Sequence, residues 1–91
     1  MSVLGEFHRI AGDAISCLRN LEAGAAQELT VEIEAAIATG QGDLSSAATR
    51  VLELLERAEP DGFADDEHAR TSVRENLDKL RAMCRAVLGR G

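Results

Sequence analysis

The sequence predicts an all-α fold, a small antiparallel bundle of three or four helices, on three observations. Apolar residues recur at alternating steps of three and four along most of the chain, the spacing of one helix face. No window of four or more alternating residues carries the β-branched and aromatic enrichment of a strand. Two clusters of turn-forming residues divide the periodic stretches, one at Thr39, Gly40, Gln41, Gly42 and Asp43 and one at Pro60, Asp61 and Gly62.

The first helix follows from Leu4, Phe7, Ala11, Ala14, Leu18 and Leu21, which share one face. Its end is open. Gly24 could terminate it, and average helix length favours a break there. Yet Ala25 and Ala26 offer no N-cap to a successor, and the stripe continues in phase through Ala25, Leu29, Ile33 and Ala36. One helix continuous to about residue 39 and two helices are therefore both compatible with these residues.

The next boundary is sharper. Two glycines can end a helix, Asp43 can cap the following one, and Ser45 and Ser46 are tolerated in its first turn. Leu44, Ala47, Ala48, Val51, Leu54, Leu55 and Ala58 then form a stripe, with Ser46, Arg50, Glu53 and Arg57 away from its centre, and the helix ends before Pro60. Pro60, Asp61 and Gly62 make a turn, Phe63 is placed to anchor the corner, and Asp65 or Asp66 caps the last helix. That helix carries Ala69, Val73, Leu77, Leu80, Cys84 and Val87 on one side. Glu67 sits at the positive end of its dipole, and Lys79, Arg81 and Arg85 lie toward the negative end.

Ninety-one residues make one domain, 1–91, near the lower limit for a core without disulfides or metals. With 45% apolar and 29% charged residues the chain should fold rather than stay disordered. Its core is thin, because 15 apolar residues are alanine and Phe7 and Phe63 are the only aromatics. A bundle this sparse is expected to recruit a second copy of itself or another protein. The amino terminus lacks the basic stretch and apolar run of a signal peptide, and no 18 consecutive residues are apolar. Cys17 and Cys84 lie inside periodic segments, as reduced cysteines acting as small hydrophobes do. A cytoplasmic location is expected.

The chain is poor in the groups that catalysis uses: two His, two Cys and one Lys. Asp65 and His68, at i and i+3, could touch one ion, but zinc needs three or four ligands. The acidic run after Asp61 lacks the alternating oxygen ligands of a calcium loop. Gly40, Gln41 and Gly42 could cradle a phosphate, but no lysine follows and Asp43 would repel the anion. Ser45 and Ser46 have no base beside them, and Cys17 and Cys84 lack redox-motif spacing. No enzyme activity, cofactor or metal is expected.

Charge is unevenly distributed. From Glu22 through Glu67 twelve acidic residues oppose only Arg50 and Arg57, a net of −10. From His68 onward six basic residues oppose Glu75 and Asp78, a net of +4, while residues 1–21 balance. Such asymmetry solvates helix faces, and it also steers charged partners.

The expected function is a non-enzymatic protein-interaction module, an adaptor, chaperone-like protein or assembly subunit. Its apolar seam is expected near Leu18, Leu21, Leu29 and Ile33, or near Val73, Leu77, Leu80 and Cys84. Glu34 and the acids of residues 53–67 would form its rim, and Glu28, Glu32, Glu53 and Glu56 are candidate partner contacts. The alternative is an acidic, phage-type inhibitor that imitates the phosphate backbone and occupies a nucleic-acid-binding protein. Direct nucleic-acid binding is disfavoured by the net charge of −6 and the absence of Tyr and Trp. Membrane binding is disfavoured by the mixed polar face of the last helix.

Overall fold

Four amphipathic segments become four helices: α1 (Val3–Arg19), α2 (Gly24–Thr39), α3 (Leu44–Arg57) and α4 (Glu67–Gly89). The computed structural model describes residues 3–21, 23–39, 43–59 and 62–89, and no strand occurs among them. Each helix packs against the next and α4 closes the ring against α1, so consecutive helices run antiparallel as a four-helix bundle. The long dimension is 38 Å, little more than the roughly 34 Å that α4 spans at the helical rise.

The predicted stripes are the core. Phe7, Ala11, Ala14 and Leu18 of α1 are buried, as are Leu29, Ile33 and Ala36 of α2. They meet Ala47, Ala48, Val51 and Leu55 of α3 and Val73, Leu77, Leu80, Cys84 and Val87 of α4 in one cluster. Two stripe members lie outside it, Leu4, which is 51% exposed, and Ala25, which is exposed where its neighbour Ala26 is buried, while Leu21, Leu44, Leu54, Ala58 and Ala69 are half-buried. Thr30 is the one buried polar residue among those described, and its hydroxyl donates to Ala26 O at 3.0 Å.

A continuous first helix to residue 39 does not form. α1 stops at Arg19, and the chain turns so that the two halves of the long stripe face each other instead of solvent. Leu21 N donates to Leu18 O at 3.1 Å, tightening the last turn. Gln27 Nε2 donates to Leu21 O at 2.7 Å, and the amides of Ala26 and Gln27 both donate to Ala23 O. A side chain from inside α2 thus satisfies a carbonyl of the turn, which a search for N-capping residues at 25 and 26 overlooks. Gly24 begins α2 rather than ending α1, and a Cβ there would meet nothing within 4 Å.

Asp43 caps α3 as its sequence position predicts. The Ser46 hydroxyl donates to Asp43 Oδ2 at 2.7 Å and the Ser46 amide donates to Oδ1 at 3.4 Å. Gly40, Gln41 and Gly42, read as a turn, lie outside the described residues, as do Glu22, Pro60 and Asp61. α3 ends at Arg57, before Pro60. The Ala58 amide returns to Leu54 O and Leu55 O, and Arg81 Nη2 adds a bond to Leu55 O at 3.3 Å.

Of the two possible caps of α4 the chain uses Asp66, whose Oδ2 accepts from the Ala69 amide at 3.1 Å. Phe63 is 5% exposed and seals this end of the core, and Arg70 Nε holds its loop by donating to Ala64 O at 2.7 Å.

The bond from the Ser46 hydroxyl, followed by that from the Ser46 amide, holds the Asp43 carboxyl below its ordinary value of 3.8. A lowered native value means that this cap contributes fully above the ordinary value and loses its contribution as pH falls through the native one. Asp43→Ala is therefore expected to lower the melting temperature by a few degrees at neutral pH. The gap to wild type should narrow below about pH 4. Thermal melts by circular dichroism at both pH values check this, and a gap that widens in acid would oppose it.

Candidate functional site

The apolar residues read as possible seam lie inside the bundle. Leu18, Ile33, Leu80 and Cys84 are fully buried, Leu29, Val73 and Leu77 nearly so, and Leu21 is half-buried beside the α1–α2 turn. In the folded monomer these side chains fill one another's space.

The acidic residues are dispersed. Glu28, Glu32, Glu34, Glu53 and Glu56 are all exposed. Glu34 turns toward α1, where Arg19 Nη2 donates to its Oε1 at 2.7 Å. The Cβ of a helical residue tilts toward the N-terminus, so Arg19 reaches back along α1 to meet it. Glu56 turns the other way, 3.6 Å from Arg85 of α4. Glu28, Glu32 and Glu53 border the α2–α3 seam together with Arg50 and Arg57. Asp43 and Asp66 are engaged as caps. Acidic groups therefore point along several directions, interrupted by arginines.

The principal concavity was not anticipated. A cleft of about 660 Å³ opens between α1, the second half of α2 and the start of α3. Buried Phe7, Ala11 and Ala47 form its floor, while half-buried Ile15, Ile37 and Leu44 and exposed Leu4 form its walls. His8, Gly12, Glu34, Ala38 and Asp43 make the rim. The His8 ring stands edge-on to Phe7, with centroids 6.1 Å apart and planes at 82°.

Small side chains create this space. Ala11 and Ala47 occupy core positions that a Leu would fill, and Gly12 and Ala38 leave the rim low. A Cβ built on Gly12 meets nothing within 4 Å. The signal was present in the sequence as large apolar residues just off the stripes, Ile15 beside Ala14 and Ile37 beside Ala36. A face-by-face reading of periodicity assigns them to neither core nor surface.

Elsewhere the chemistry is sparse. Among the described residues no three His, Cys, Asp or Glu side chains gather closely enough to hold a metal ion. Nor is any helix among them long and apolar enough to cross a membrane. Cys17 Sγ lies 3.8 Å from Ser72 Oγ on α4. Cys84 lies twelve residues further along the same helix, an axial separation of about 18 Å. A disulfide needs Cα atoms within about 7 Å, so the two thiols cannot pair within this fold.

Fold and site together define an all-α bundle with an apolar side cleft. Comparison of the chain with protein families, curated proteins and solved structures finds no match.

Burial pushes the Cys84 thiol up to about 11, away from its reactive thiolate form. Cys17 is only half-buried. A thiol reagent at neutral pH is expected to modify Cys17 in the native protein and Cys84 only after denaturant is added. Mass spectrometry of the labelled peptides checks the order, and equal native labelling of both would contradict the packing of α4.

Proposed function

We propose that this protein is a non-enzymatic, cytoplasmic interaction module that seats apolar side chains of a partner protein in the cleft between α1, α2 and α3. The observation that carries this reading is the cleft itself. Leu4, Ile15, Ile37 and Leu44 present apolar surface around a concavity large enough for several side chains. Its volume falls within the range of binding pockets, which combine apolar walls with a few polar groups. The seam residues are already committed to the core, so the cleft takes over the role the sequence suggested for them.

Two further features support the assignment. The two cysteines are free thiols, which suits a reducing compartment. Of the titratable groups at the rim, Glu34 is paired with Arg19 and Asp43 is engaged as a helix cap, which leaves His8 without a nucleophile beside it among the described lining residues. An acidic mimic of nucleic acid would instead need closely spaced carboxylates on one rigid face, and here arginines and caps interrupt them.

Gly12→Leu supplies the test, because it places a side chain in the cleft from an open helical position. Capture from lysate with wild-type protein and with this variant, each washed in high salt, should recover a partner on wild type that Gly12→Leu loses. Apolar contacts survive such screening. Recovery of the same proteins on both baits would count against the cleft. A basic nucleic-acid-binding protein held only at low salt and displaced by DNA would favour the mimic.

A further inference from the structure

Resting on the assignment of the cleft as a docking site, we infer that its occupant is an amphipathic, cationic helix of another protein, with lysine or arginine flanking the inserted apolar residues. Charge around the cleft carries the inference. Among the described residues its charged lining residues are Glu34 and Asp43, with the titratable His8 beside them, and no lysine or arginine lines it. The cations of α4 lie outside it, since no residue of that helix reaches the cleft. Arg19 offsets Glu34 from outside the lining and leaves Asp43 as an anion on the α3 side.

Helix dipoles act in the same direction. Three helix ends approach the cleft: the start of α1 at Leu4, the end of α2 at Ile37 and Ala38, and the start of α3 at Leu44. The two positive ends are already matched, by Glu6 in the first turn of α1 and by the Asp43 cap. The negative end of α2 has no basic residue in its last turn. A cation arriving on a partner would complement it.

A helix fits better than a loop because the cleft runs along α1 from Leu4 to Ile15, about three turns of helix. Anchors spaced at i, i+3, i+4 and i+7 can follow such a groove. A second copy of this chain is a poorer fit. Apart from Leu4, which belongs to the cleft, its exposed large apolar residue among those described is Val31. Val31 lies among Glu28, Glu32 and Glu34, so inserting it would bring further carboxylates to an anionic rim.

The probes are two synthetic helices of about 14 residues, about 21 Å long. Both carry the same Leu and Trp face, one flanked by lysines and the other by glutamates. The protein contains no Trp or Tyr, so the peptide Trp reports binding without background. At low salt the lysine peptide is expected to bind about ten times more tightly than the glutamate peptide, one ion pair having been exchanged for a repulsion. Gly12→Leu should abolish binding of both, and Glu34→Gln should narrow the ratio while the protein keeps its helical circular dichroism.

Equal binding of both peptides, lost in Gly12→Leu, would overturn the charge inference and leave the docking site standing. Binding that Gly12→Leu does not touch, or no binding of either peptide, would overturn the docking site itself. A dimer in sedimentation that Gly12→Leu dissociates would make the occupant a second copy and overturn the inference in favour of self-assembly.

Discussion

Small side chains on the inner faces of the helices are the constraint on which the rest of this structure depends. Ala11, Ala14, Ala26, Ala36, Ala47 and Ala48 are all buried, interspersed with larger residues such as Leu18, Ile33, Val51 and Leu55. Alanine favours helix and costs little side-chain entropy on burial, which suits a chain of this size. It also buries little area. Phe7 and Phe63 compensate at separated places, one under α1 and one in the loop before α4. Between α1, the second half of α2 and the start of α3, Ala11 and Ala47 line the cleft beside Phe7.

The polar residues act locally. Asp43 and Asp66 fix the starts of α3 and α4, Gln27 and Arg81 close the ends of α1 and α3, and Arg70 holds the loop that carries Phe63. Exposed ion pairs such as Arg9 with Asp13 and Arg85 with Glu56 add little stability individually. Segregating the acidic middle of the chain from the basic α4 therefore contributes little to folding, and under the proposed function it would orient a partner. At the cleft this leaves carboxylates and a helix C-terminus, with no lysine or arginine among the described lining residues.

Periodicity made the four stripes legible, and Asp43, Phe63 and an aspartate cap of α4 were legible from local turn chemistry. The α1–α2 break was ambiguous because an in-phase stripe looks the same whether the chain continues or folds back. The deciding contact, Gln27 to Leu21, is a side-chain bond across the turn that no capping pattern announces. The site was less legible. Residues such as Leu18, Leu77 and Leu80 look equally suited to core and interface in a sequence, and burial alone separates the two uses. Ile15 and Ile37, off every stripe, acquire meaning only when three helices bring them to one cavity with Leu44, a relation between segments that spacing within a segment does not encode.

The most direct measurement is a nitrogen–proton correlation spectrum of the labelled protein, titrated with the lysine-flanked helix. Shifts are expected to concentrate on Leu4 to Ile15 of α1, on Glu34 to Ala38 of α2 and on Asp43 to Ala47 at the start of α3, with the outward face of α4 unmoved. Shifts centred on α4, or spread through the buried stripes as if the bundle opened to admit the peptide, would contradict a preformed cleft left by small side chains.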